Sequence, residues 1–156
     1  MSSVVESVAL RRVLGNFATG VTVVATDTAT GPAGLVVNSF SSVSLDPPLV
    51  LFCIARNSRT WPRIAESGHF AISFLGDDQE RVARRFCLRD VDRFAGEDLL
   101  TVVTGAPVLA AACAYVDCVL DEVHDAGDHH IVVGAVVAAA ELRRRGPLLF
   151  VRGSYR

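Results

Sequence analysis

The segment from Gly34 to Thr60, GLVVNSFSSVSLDPPLVLFCIARNSRT, restricts what this chain can fold into more than any other. It opens as an apolar run, passes through four serines (Ser39, Ser41, Ser42, Ser44), meets Asp46-Pro47-Pro48, and becomes apolar again from Leu49 to Ala55. A proline doublet interrupts a helix and cannot donate to a ladder, so the segment reads as two buried strands broken by a turn. It closes on a second polar cluster, Asn57-Ser58-Arg59-Thr60. Hydroxyls and backbone amides at strand ends beside an Arg suit a phosphate-bearing ligand, because anionic oxygens are best held by several fixed donors and one positive charge. The apolar strands between the two clusters could cover a flat ring. The same serines would equally serve as the polar outer face of a hairpin, and the pattern alone leaves both readings open.

Around this segment the chain reads mainly as β. Ser7 to Phe17 places Leu10, Val13, Leu14 and Phe17 on one helical face. Val21 to Thr28 alternates and is β-branched, so it is expected as a strand, with Thr30 to Gly34 as the turn after it. Thr60 is the expected cap of a helix that has Pro62 in its first turn and stops at Gly68; Ser58 to Thr60 then lie beside a row of free amides. His69 to Leu75 follows as a strand. Asp77 is the expected cap of a helix from Asp78 to about Cys87, with Val82, Ala83 and Phe86 inward. Leu88 to Gly105 reads as loop; its Arg89, Arg93 and Phe94 suit a lid, a dimer contact or plain solvation. Two long runs, Ala110 to Glu122 and His130 to Glu141, meet at the turn Asp125 to Asp128, and Pro147 to Arg152 gives a last strand. Six to eight hairpin-linked strands with two or three helices argue for a closed or split antiparallel barrel. With 156 residues and no linker or repeat, one domain spanning 1–156 is expected.

Composition narrows the function classes. A net charge of −2 gives no electrostatic footprint for nucleic acid, and the fifteen basic residues are all Arg. No run approaches a membrane span, and Met1 to Leu10 lacks the pattern of an export signal, so a cytoplasmic protein is expected. Cys53, Cys87, Cys113 and Cys118 lack CxxC spacing, and three of them sit among apolar neighbours as expected buried thiols. The four histidines have no companions at zinc-ligand spacing, and adjacent His129 and His130 would face opposite sides of a strand. No metal site is expected.

Asn38-Ser39-Phe40-Ser41-Ser42-Val43-Ser44-Leu45-Asp46-Pro47-Pro48-Leu49-Val50 resembles the central motif of the flavin reductase-like family, the small NAD(P)H:flavin oxidoreductases that supply reduced flavin to two-component monooxygenases. Three further pieces lie in the family's order: Phe17-Ala18-Thr19-Gly20-Val21-Thr22-Val23-Val24, Gly127-Asp128-His129 with Gly134, and Pro147-Leu148-Leu149 followed by Arg152-Gly153 and Tyr155. The resemblance runs from about Leu10 to Tyr155. It implies an FMN-binding split β-barrel, Greek-key and antiparallel, forming a homodimer with flavin (FMN or FAD) at the subunit interface, NADH or NADPH as reductant, and a separate oxygenase as partner.

Carried over residue by residue, the resemblance implies that Val36, Val37, Asn38, Ser39, Ser41, Ser42, Val43 and Ser44 hold the flavin ring and ribityl chain, with Asn57, Ser58, Arg59 and Thr60 on its phosphate. His129 would lie by the nicotinamide as the catalytic histidine, and Phe150, Val151, Arg152, Gly153 and Tyr155 would line the NADH site. Read bare, His129 is a turn histidine and the final stretch an edge strand with an aromatic end. One position departs from the family: a threonine often stands where Gly34-Leu35 is followed here by Val36, which removes a hydroxyl that could bond the flavin. Two other readings stand beside the reductase. One is a non-catalytic flavin-binding module of the same fold, against which His129 and Arg152 count. The other is a pyridoxamine-phosphate-oxidase-like enzyme, against which the absence of Lys counts.

Overall fold

The computed structural model describes residues 5–156; the start of the Met1 to Leu10 segment lies outside the described residues. In chain order the elements are α1 (Ser7–Leu14), β1 (Thr19–Gly20), β2 (Thr22–Thr28), β3 (Gly31–Val37), β4 (Ser41–Leu45), β5 (Pro48–Ala55), α2 (Trp61–Ser67), β6 (His69–Phe74), α3 (Glu80–Phe86), β7 (Leu99–Leu100), β8 (Val108–Leu109), β9 (Ala114–Ala126), β10 (His129–Glu141), β11 (Leu149–Val151) and β12 (Ser154–Tyr155). Seven strands form one antiparallel sheet in the order β3-β2-β6-β9-β10-β5-β4, and β1-β11-β12 form a small second sheet. This is the expected mainly-β split barrel.

β2 explains how the barrel is filled. From Thr22 to Thr26 it is buried on both faces, so Val23, Val24 and Ala25 supply core contacts on both sides of the sheet. Val24 points into a cluster with Phe52, Ile54, Phe70, Ile72 and Val132, and Ile64 of α2 closes that cluster. Val23 and Ala25 point the other way, under α3, where Val82, Ala83 and Phe86 are buried. Burying a large side chain of this kind contributes about 1.5–3 kcal/mol. Phe52 and Phe70 meet edge to face with ring centroids 5.1 Å apart. Gly134 of β10 is glycine by necessity, since a Cβ there would stand 2.6 Å from the Phe70 ring. The buried hydroxyls of β2 are satisfied internally: Thr22 Oγ1 donates to the Val37 carbonyl at 3.0 Å, and Thr26 Oγ1 to that of His69 at 2.8 Å.

Several local expectations need correction. α1 ends at Leu14 and none of its residues is buried, so the apolar face of Leu10, Val13, Leu14 and Phe17 meets no core within the chain. β3 already begins at Gly31, and the turn is Ala29-Thr30 alone. Ser41 to Leu45 is a strand in its own right, turned back on β5 with Leu45 opposite Pro48. Thr60 makes no side-chain cap; its amide is bonded instead by Ser58 Oγ at 3.2 Å. α3 starts at Glu80 rather than Asp78 because Asp77 and Asp78 are taken by Arg145 and Arg143, while Gln79 receives the Gly76 amide. Of the cysteines only Cys118 is buried; Cys53 and Cys113 are half-buried and Cys87 is exposed. Arg152 and Gly153 leave the last strand: both have positive φ (50° and 75°) and form the two-residue turn of the β11–β12 hairpin, a geometry that glycine accepts readily.

Candidate functional site

Edge strand β3 leaves its outer side open, and there a cleft of about 780 Å³ forms. One wall is the backbone from Pro32 to Val36; the opposite wall is the segment Asn57 to Thr60 with Arg63 of α2. The floor is aromatic, with Phe86 and Phe94 meeting edge to face at 4.9 Å. The structure thus brings five of the sequence-selected residues into one cavity: Val36, Asn57, Ser58, Arg59 and Thr60.

What holds this cleft open was only half visible in the sequence. Arg93 reaches back to donate to the Gly34 carbonyl at 2.7 Å and to the Leu88 carbonyl at 2.9 Å, and so straps the segment after α3 over β3. Gly34 allows it, because a Cβ there would lie 2.9 Å from both the Phe94 ring and the Val24 carbonyl. Arg93 is therefore fixed at the rim and Phe94 in the floor, and neither is merely solvated. Gly34, Arg63 and Phe86 were missed; Gly34 meets Phe86, Arg93 and Phe94 across fifty-two to sixty residues, and no local pattern signals such contacts.

The central motif is arranged differently. Val37 is buried in the core. The Ser39 hydroxyl is engaged with β5, accepting the Cys53 amide at 2.9 Å and donating to the Cys53 carbonyl at 3.0 Å. A hydroxyl has one hydrogen to give, and that of Ser39 goes to the Cys53 carbonyl. Asn38, Ser41, Ser42 and Val43 are exposed and Ser44 is half-buried along β4. They form an open ledge at the far edge of the sheet, outside the lining of the cleft.

His129 opens β10 directly opposite Ala55, and Arg56 donates to the Asp128 carbonyl at 3.0 Å. The register therefore sets the histidine beside the chain that leads into Asn57. Its Nδ1 lies 2.7 Å from Asp128 Oδ1; the carboxylate is an acceptor, so Nδ1 carries the hydrogen and Nε2 is left free. That bond also holds the Asp128 carboxyl below the usual carboxylate range. His130 points the other way, against Trp61.

Phe150, Val151 and Tyr155 belong to the small sheet and do not line the large cleft. Phe150 and Tyr155 pack at 5.2 Å, and the Arg84 guanidinium lies 5.2 Å from the centroid of the Tyr155 ring. Burial, with the Cys87 thiol as a further neighbour, pushes the Tyr155 phenol up to about 12. Arg152 is held at the end of α1, donating through Nε to Asn16 Oδ1 at 3.0 Å and through its amide to the Gly15 carbonyl at 2.7 Å. Cys87 joins the two regions, lining both the large cleft and a shallower hollow of about 620 Å³ under Tyr155. Opposite Phe150 stands Thr19, whose Oγ1 is buried without a partner among the described residues.

The chain is an antiparallel split barrel with an arginine-rimmed, aromatic-floored cleft on its edge strand, a donor set suited to a flat, anionic ligand. Comparison with known proteins makes this specific: the chain belongs to the flavin reductase like domain family, whose model matches residues 14–156. It is 45% identical, over 93% of its length and 74% of the relative's, to the reductase subunit HsaB of a flavin-dependent monooxygenase from Rhodococcus jostii. It is also 45% identical to the FMN reductase (NADH) SmoA of Agrobacterium fabrum, covering 96% of this chain and 85% of that one. Among solved structures, the NADH:FAD oxidoreductase of Streptomyces globisporus in complex with NAD and FAD fragments superposes with a TM-score of 0.91 at 39% identity, covering 99% of this chain and 96% of that one.

Proposed function

We propose that this chain is an NADH-dependent flavin reductase that passes a hydride to FMN or FAD and supplies the reduced flavin to a separate oxygenase. The observation that carries the reading is the single cleft uniting Val36 with Asn57 to Thr60, in a chain whose relatives are named as NADH-dependent reductases of FMN and of FAD. The oxygenase partner is supported by relatives named as reductase subunits of monooxygenases.

The residues present fit a flavin. The cleft combines an apolar floor, hydroxyl and amide donors, and guanidinium groups at its rim, which is the donor set for a flat ring joined to phosphate. When bound, the flavin and the nicotinamide supply the hydride chemistry themselves. The protein's part is to hold two rings face to face and keep water away. Val36 and Phe86 provide apolar contact, and Ser58, Thr60 and Arg59 hold the anionic end. His129, with Nδ1 fixed by Asp128, presents Nε2 to donate or accept a proton next to the reacting rings. Thr19 Oγ1, unsatisfied beside Phe150, offers a hydrogen bond to an amide-bearing ring against the small sheet.

The active unit is a homodimer. An eight-residue helix with an exposed apolar face is not stable alone, and Val13, Leu14 and Phe17 are 67%, 61% and 79% exposed. A second copy would cover them, and sedimentation should show twice the chain mass. Function is tested by NADH oxidation followed with and without added flavin. Turnover that saturates with added FMN or FAD supports the reductase, whereas flavin binding without NADH oxidation would leave the storage module.

A further inference from the structure

We propose that the cleft continues past Arg63 as a groove for the adenosine diphosphate half of FAD, so that the protein takes FAD in preference to FMN; this rests on the cleft being the flavin site. The cavity follows β3 from Val36 to Pro32, about 13 Å at the usual rise per residue. Arg63 lines it and also lines a second cavity of about 480 Å³ at the tip of the β2–β3 hairpin, together with Thr28, Thr30, Glu66 and His69.

The charges along this path exceed what one phosphate needs. Ser58, Thr60 and Arg59 already suffice for a single phosphate, and Arg59 lies 3.5 Å from Asp90. Arg93 is bound to backbone carbonyls. Arg63 and Arg89 also line the cleft and have no carboxylate partner among the described residues, so two guanidinium groups remain for a second phosphate. In the second cavity Glu66 is likewise without a hydrogen-bond partner among the described residues; its oxygens can only accept, which suits ribose hydroxyls. Asp27 is occupied by His69. A flavin mononucleotide would leave this half of the groove unused, while a dinucleotide spans it.

The test is equilibrium titration of flavin fluorescence with the purified full chain, using FAD and FMN as probes and AMP as competitor, in the wild type, Arg63→Gln and Glu66→Gln. Both substituted residues are exposed, and circular dichroism checks that the variants fold. The proposal expects tighter binding of FAD than of FMN, and competition by AMP against FAD but not against FMN. It also expects Arg63→Gln to weaken FAD about tenfold, the scale of one charge-assisted hydrogen bond, with FMN changed by less than about twofold. Equal wild-type affinities, or equal losses for the two flavins in Arg63→Gln, would overturn the groove while leaving the flavin cleft standing. Absence of binding by either flavin would overturn both.

Discussion

The Ser39 hydroxyl clasps Cys53 at two points, accepting its amide at 2.9 Å and donating to its carbonyl at 3.0 Å. This side-chain bridge ties the end of β3 to the middle of β5, on the path between the two polar clusters of the central segment. Ser39→Ala leaves the Cys53 amide and carbonyl unpaired, at a cost of about 1–3 kcal/mol. Chemical denaturation should show that loss of stability, with flavin affinity at saturating folded protein changed far less.

His129 should separate chemistry from binding. On the proposed reading His129→Ala removes the Nε2 that serves the reacting rings while leaving the residues that line the cleft in place, so flavin reduction should slow more than flavin affinity falls. Single-turnover reduction and fluorescence titration of the same variant give the two numbers. Equal losses in both would refute a role at the nicotinamide.

Val36→Thr restores the hydroxyl that the family often carries at a position which here lines the cleft. The two side chains are nearly isosteric, and the half-buried site can hydrate the hydroxyl when no ligand is bound. Flavin binding should tighten, by about tenfold for one new hydrogen bond, as read by fluorescence titration.

Acid stability should depend on the Arg143–Asp78 pair, which holds the loop before β11 to the start of α3. The hydrogen bond from Arg143 is the largest cause holding the Asp78 carboxyl below 3.8; burial opposes it, and the charges of Arg143 and Arg145 add to the lowering. A carboxyl depressed in the folded state contributes stability that is present above its unfolded value and is lost as pH falls through the folded one. Arg143→Met should therefore lower the urea midpoint at neutral pH, and its midpoint should converge on that of the wild type as pH falls below 3.8. A constant gap down to strongly acid pH would show that the pair acts by packing alone.

Sequence reading succeeded where the signal is local. β2, β5 and β6 announce themselves as β-branched or apolar runs, and Gly127-Asp128 marks the β9–β10 turn by its own chemistry. It was weaker where exposure hides the pattern. β4 has no buried residue, so its serines left a ligand site and the outer face of a hairpin both open, and the apolar face of α1 gave no sign that it meets no core within the single chain. Most of what builds the cleft was illegible because it is non-local. The strap from Arg93 to Gly34 spans 59 residues. Buried Asp117 pins the segment before β8 by accepting the amides of Val103 and Thr104, both at 2.9 Å. Neither partner of such a pair carries a mark that points to the other. The flavin residues named from the family motif consequently divide: Val36 and Asn57 to Thr60 share the cleft, while Asn38 and the serines of β4 lie on a separate ledge.

The most direct measurement is anaerobic stopped-flow of the purified protein mixed with FAD or FMN and NADH, following the loss of oxidised flavin absorbance. The account predicts bleaching far faster than in the protein-free mixture, at a rate that saturates with NADH. Bleaching at the protein-free rate, with flavin demonstrably bound, would contradict it.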